Sequence, residues 1–214
     1  MQVAVIVAGA IAEFAGWWFV SSGRADVWKL MPVVLGTMGV AAVLVRPPVA
    51  ATGTGAITAL LVGMGVGLAL YVGTRIFVWL AARWSPFRRD VLEKYGQAGQ
   101  VTLGRSLVLS LAIMVPAEEL FWRGLVQGRL ADAATITPAA AALLAWLAYL
   151  VVNAASRSLP IVAGAVVAGA VWAGLAWWSG GVLASLASHI LWTGSMLALP
   201  PGVGRPAIEG GPAR

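Results

Sequence analysis

The chain has 214 residues, of which 60% are hydrophobic and only 10% charged, and its mean hydropathy of +0.89 puts it outside the soluble globular range and in the polytopic membrane class. A net charge of +6 arises from Lys and Arg scattered between apolar runs, so the basic balance argues for membrane topology and against nucleic acid as a partner. With no cysteine and one histidine, disulfides, thiolate metal sites, thiol nucleophiles and His-rich metal clusters are all excluded.

Taken in chain order, apolar runs at 2–21, 30–45, 56–82, 106–130, 138–155, 160–178 and 180–199 each approach the ~20 residues that cross a ~30 Å hydrocarbon core. They predict an all-α polytopic bundle of about seven transmembrane helices. No Lys or Arg precedes the first run and Glu13 lies within it, so it reads as a retained helix rather than a cleaved signal peptide. Trp17, Trp18 and Trp28-Lys29 flank the turn at Gly23-Arg24-Ala25-Asp26 and mark a membrane interface. Arg46-Pro47-Pro48 stops the second helix because proline lacks a backbone donor, and the loop continues to Gly55. Gly63, Gly65 and Gly67 include a G-x-x-x-G pair, which reads as helix packing, and Arg75 can snorkel to the interface beside Trp79 and Trp84.

Between Ala82 and Arg105 lies the one substantial polar segment. Ser85-Pro86 is a helix start, and Phe87, Val91 and Tyr95 recur at helical spacing, predicting an amphipathic helix on the membrane surface. Residues 96–104 are open between helix and solvated loop. The positive-inside rule then puts this segment, the turns with Arg24, Lys29 and Arg157, and the C-terminal tail in the cytoplasm, with the N-terminus outside. From Pro200 onward the Gly/Pro-rich tail reads as disordered. The expected division is 1–103 for the N-terminal helices and interfacial segment, 104–199 for a helical core, and 200–214 for the tail. The bacterial plasma membrane is the expected location.

Pro116-Ala117-Glu118-Glu119-Leu120-Phe121-Trp122-Arg123 sets three ionisable groups inside an apolar segment. On a helix Glu119 and Arg123 are i,i+4 neighbours, while Glu118 points elsewhere. A charge at the bilayer centre costs roughly 2.5–3.5 kcal/mol on insertion scales, so such groups face a protein interior and serve a function. The competing explanation is a salt-bridge network that only locks the bundle. Downstream, Asn153 ends the fifth helix, and His189 sits in the last with Thr193 one turn on. Counted from the helix starts, Glu118 lies roughly 18 Å from one membrane edge and His189 roughly 13 Å from the other, so both reach similar depth. A buried carboxylate beside an imidazole can activate water for hydrolysis. Two carboxylates and an imidazole could also hold a divalent metal, but Arg123 takes the second glutamate and the ligand set is poor; no cofactor is expected.

Glu118-Glu119-x-x-x-Arg123, followed by Tyr149-x-x-x-Asn153, Pro160 in a turn, and His189-x-x-x-Thr193, resembles the ordered motifs of the CPBP intramembrane endopeptidases, the CAAX prenyl protease type 2 and bacteriocin-processing family. The resemblance covers roughly residues 104–197. It implies that Glu118 activates the water, Glu119 and Arg123 brace the site, and His189 stabilises the oxyanion. Asn153 stands where the family has its second-motif histidine, Thr193 where it has asparagine, and Tyr149 where it has phenylalanine. The implied partners are the lipid bilayer and a peptide or lipidated C-terminal segment as substrate. Two alternatives remain at this level: a catalytically impaired relative serving as a membrane binding or partner module, and a small transporter using Glu118 and His189 as a proton relay, which lacks the expected internal repeat.

Overall fold

The computed structural model describes residues 1–202, and every predicted apolar run in it is helical. Among the described residues the eight helices are α1 (Gln2–Ser21), α2 (Val27–Val45), α3 (Ala56–Ala81), α4 (Ser85–Ala98), α5 (103–131), α6 (Pro138–Ala154), α7 (Leu159–Ser179) and α8 (Leu183–Ala198). Seven are the predicted spans and α4 is the predicted surface helix; no strand occurs among the described residues. Most of the predicted disordered tail, residues 203–214, lies outside the described residues. By length and apolarity α1, α2, α3 and α7 are sufficient to cross a membrane.

Local chemistry places the boundaries. The Asp26 side chain accepts from the amides of Trp28 and Lys29, so α2 begins three residues before its apolar run, at Val27. Thr102 caps α5 by accepting from the Arg105 amide, while α4 extends to Ala98, which leaves only a short turn within the ambiguous 96–104 stretch. Gly180 ends α7 with φ of 67°, a left-handed turn that glycine adopts without steric cost.

The helices run alternately between two ends. At one, Ser21 Oγ donates to the Ala155 carbonyl, Trp28 Nε1 to Gln97, and the Leu159 amide to the Asp90 carboxylate. This end carries Arg24, Lys29, Arg83, Arg88, Arg89, Lys94 and Arg157. At the other, Arg46 pairs with Asp132, and the amides of Val182 and Leu183 donate to the carbonyls of Val49 and Ala50. Phe87 and Val91 of α4 bury against Val78 near the end of α3, with Tyr95 packed beside them, which fixes the surface helix to the bundle.

α3 and α8 approach closely along the small-residue stripe. A Cβ on Gly63 would lie 2.3 Å from the Ala184 carbonyl oxygen and one on Gly67 2.6 Å from that of Ser188. Only glycine permits this contact, and it seats the residue that precedes His189. The opposite stripe of α3, with Ile57, Leu61, Leu68 and Ile76 exposed, is apolar enough to face lipid.

α5 is the central helix. Its hydrogen-bond ladder widens to the π pattern over Leu109–Met114 and Leu120–Gln127, on either side of Val115–Glu119. Pro116 cannot donate to the ladder, which accounts for an irregularity here, and such π turns occur frequently at functional sites. From Phe121 to Gln127 all seven residues are buried, so protein surrounds the helix on every side just past the glutamate pair.

Candidate active site

Glu118 and Glu119 lie consecutively on α5 and therefore project in different directions. Glu119 is completely buried. One of its oxygens, Oε2, is 3.7 Å from Arg123 Nε, an ion pair across one helical turn that is longer than a hydrogen bond. The other, Oε1, is 2.9 Å from His189 Nδ1 on α8. Glu119 thus joins two helices, where the sequence alone pairs it only with Arg123.

The arginine has its own cradle. Arg123 Nη2 donates to the Gly169 carbonyl at 3.1 Å, and the guanidinium lies 4.6 Å from the centroid of the Tyr149 ring. Gly169 has no side chain to spare: a Cβ there would be 3.0 Å from the same tyrosine. The second-motif tyrosine therefore serves as a cation–π platform for the arginine.

The imidazole is held from two sides. Trp172 stacks on it at 3.5 Å between centroids and 17° between planes, while Glu119 holds Nδ1. Its Nε2 is consequently directed to Glu118, whose Oε2 lies 4.0 Å away. That separation is too long for a direct hydrogen bond but is spanned by one water making two ordinary hydrogen bonds of ~2.8 Å. At 8% exposure, against 0% for Glu119 and 4% for His189, Glu118 is the most accessible of the three.

Two other residues singled out from the sequence sit differently. Asn153 is buried, but its Nδ2 donates to the Tyr149 carbonyl of its own helix at 3.0 Å. Thr193 is half-buried one turn beyond His189, and its hydroxyl makes no side-chain hydrogen bond among the described residues. The structure therefore brings Glu118, Glu119, Arg123 and His189 together, and does not link Asn153 or Thr193 to them by a hydrogen bond. No group of three His, Asp or Glu side chains is arranged to hold a metal ion among the described residues.

Residues 101–195 match the family model described as Type II CAAX prenyl endopeptidase Rce1-like. This stretch of the chain is similar to that family. Nothing matches among the curated proteins or among the solved structures. The Rce1-like segment runs from just before α5 into α8 and so contains the glutamate pair, the arginine and the histidine. It implies an intramembrane protease of the CAAX type, and with the four long apolar helices it makes this an integral membrane protein.

One buried carboxyl outside the Rce1-like segment bonds to the helix that carries the glutamate pair. Glu13 of α1 is completely buried, and its Oε2 accepts from Trp122 Nε1 at 2.9 Å. The sequence offered a signal for Glu13, an ionisable group in the middle of the first apolar run, but that signal served only to exclude a signal peptide. Trp172 carried none, since one more tryptophan in a chain with eleven is unremarked.

Proposed function

We propose that this protein hydrolyses a peptide bond within the membrane, in a peptide or lipidated C-terminal segment, by means of a water held between Glu118 and His189. The observation that carries this reading is the 4.0 Å gap between Glu118 Oε2 and His189 Nε2, with His189 fixed from behind by Glu119. An imidazole whose Nδ1–H is engaged by a carboxylate offers Nε2 as an acceptor. A water in the gap then donates one hydrogen to each partner, and its lone pair is free to approach a carbonyl carbon.

In the reaction the water oxygen bonds to the carbonyl carbon as one water proton passes to Glu118. The carbonyl becomes an oxyanion. Glu118 then returns that proton to the amide nitrogen, the carbon–nitrogen bond breaks, and the products are a carboxylic acid and an amine. Glu119 and Arg123 stay outside the bond changes and keep the imidazole in place. On this reading His189 aligns the water, and it reaches the oxyanion only after taking a proton itself. The site proposed is thus Glu118 and His189, held by Glu119 and Arg123.

The test is a cleavage assay on purified protein in liposomes, with peptides and prenylated peptides as substrates. Glu118→Gln keeps the size of the side chain and removes the base, so it should lose activity by about 10²- to 10⁴-fold. Full activity in that variant would exclude Glu118 as the base. The binding-module reading draws on one observation, the amide of Asn153 turned onto its own backbone. It predicts that wild type cleaves none of the peptides while retaining a specific partner through purification.

A further inference from the structure

We infer that Arg75, Trp79 and Arg83, at the end of α3, form a binding site for the phosphate of a single anionic phospholipid. Tyr71, Arg75 and Trp79 recur every four positions on one face of the helix, and Arg83 follows four further on, in the turn that ends it. Cations and aromatic rings alternate along this face. The Arg75 guanidinium lies 5.7 Å from the centroid of the Tyr71 ring and that of Arg83 lies 4.9 Å from Trp79. Arg75, Trp79 and Arg83 are all exposed, and all lie outside the Rce1-like segment.

Helix length sets the depth of the site. α3 has 26 residues, about 39 Å at 1.5 Å per residue, against ~30 Å of hydrocarbon. Arg75 is its twentieth residue, so a helix that enters the core at Ala56 brings Arg75 to the far boundary, where the lipid phosphates begin. α8 ends short of this level. The Tyr71 hydroxyl donates at 2.8 Å to the carbonyl of Leu199, just past the last residue of α8, while α3 continues to Ala81. Beside this overhang Arg75, Ile76 and Trp79 line a hollow together with Pro201 and Gly202. Arg75 Nη1 donates to the Tyr71 hydroxyl at 2.8 Å, which anchors the arginine at the rim of the hollow.

Charge complementarity names the occupant. The carboxylates described at this end are engaged elsewhere: Asp26 caps α2, Asp90 accepts from the Leu159 amide, and Glu93 pairs with Lys94. Arg75 and Arg83 form no ion pair among the described residues. A phosphate at the hydrocarbon boundary supplies the missing anion, since its oxygens accept from the guanidinium fork. The acyl chains below it then lie along the exposed apolar stripe of Leu68, Val72 and Ile76, on the same helix. Trp79, 61% exposed, belongs to the headgroup layer, where an indole sits with its ring in the apolar part and its N–H in the polar part. A zwitterionic lipid carries its own ammonium beside the phosphate and gains less from two arginines than an anionic one.

Native mass spectrometry of the full chain in detergent, titrated with phosphatidylglycerol or with phosphatidylcholine of the same acyl chains, tests the site without any substrate. Wild type should hold one phosphatidylglycerol in preference to phosphatidylcholine. Arg75→Gln and Arg83→Gln should each weaken that binding by about tenfold, and because both side chains are exposed neither change should unfold the bundle. Arg24 is the internal control: it too lies over a tryptophan, 4.8 Å from Trp18, but lines no hollow of this kind. Arg24→Gln should leave the binding unchanged, as should the double variant Arg205→Gln with Arg214→Gln in the tail. Equal retention of the two lipids overturns the inference. A loss in Arg24→Gln as large as that in Arg75→Gln would mean diffuse attraction to the basic end, and a loss in the tail variant would put the lipid on the tail; either result overturns it as well.

Discussion

His189 Nδ1 and Glu119 Oε1 lie 2.9 Å apart, and this contact decides which ring nitrogen faces Glu118. A carboxylate that carries no proton accepts from Nδ1–H, so the neutral ring is the Nδ1–H tautomer. Because His189 is the single histidine of the chain, protein labelled with ¹⁵N-histidine yields one imidazole signal pair. The expected spectrum is that of the Nδ1–H form, and Glu119→Leu should shift it toward the Nε2–H form that dominates in solution. An Nε2–H spectrum in wild type would remove the basis for a water accepted at Nε2.

Arg123 is 4% exposed and is the one cation beside Glu119 among the described residues. Removing one partner of a buried ion pair leaves the other charge uncompensated, which typically costs about 3–5 kcal/mol. Arg123→Ala should therefore lower the unfolding temperature in detergent clearly, besides freeing the Tyr149 ring and the Gly169 carbonyl. A variant as stable as wild type would mean that the 3.7 Å approach to Glu119 carries little energy.

The glycines of α3 provide an internal comparison. Gly67 faces the α8 backbone, 2.6 Å from the Ser188 carbonyl oxygen to a hypothetical Cβ, whereas nothing lies within 4 Å of one on Gly65. Gly67→Ala should force α8 outward, lose about 1–3 kcal/mol and reduce cleavage through displacement of His189. Gly65→Ala should be neutral or stabilising, up to about 1 kcal/mol from helix propensity. Thermal unfolding of the two variants side by side checks this, and equal effects would contradict the close packing.

Asn153→His asks whether the second motif can be completed. The side chain is buried one turn past the tyrosine that supports Arg123, and histidine there restores a group able to transfer protons. Cleavage should rise above wild type by up to about 10²-fold, within the range general acid–base participation supplies. The gain should disappear when Glu118→Gln is added. Unchanged or slower cleavage would show that the asparagine belongs to a site that already works without that histidine.

Much of this architecture was legible in the sequence. Helix formation is local, and the apolar run lengths, Arg46-Pro47-Pro48 and Ser85-Pro86 are all signals carried within a few residues, so the helices described emerge close to their observed bounds. The Glu119–Arg123 proximity follows from helical geometry alone, one turn apart. What remained hidden is which faces meet. In a membrane bundle the core and the lipid are both apolar, so hydrophobic periodicity does not tell an inward face from an outward one. The bond from Trp122 to Glu13 joins residues 109 positions apart, and that from His189 to Glu119 joins residues 70 apart. Neither pairing has a local signature. Only the packing of α1 and α8 against α5 decided that Glu119 is shared between arginine and histidine and that a carboxyl from the first span takes up the indole of Trp122. Backbone hydrogen bonding and turn chemistry settled the helices one by one, whereas these contacts required all of the helices to be in place.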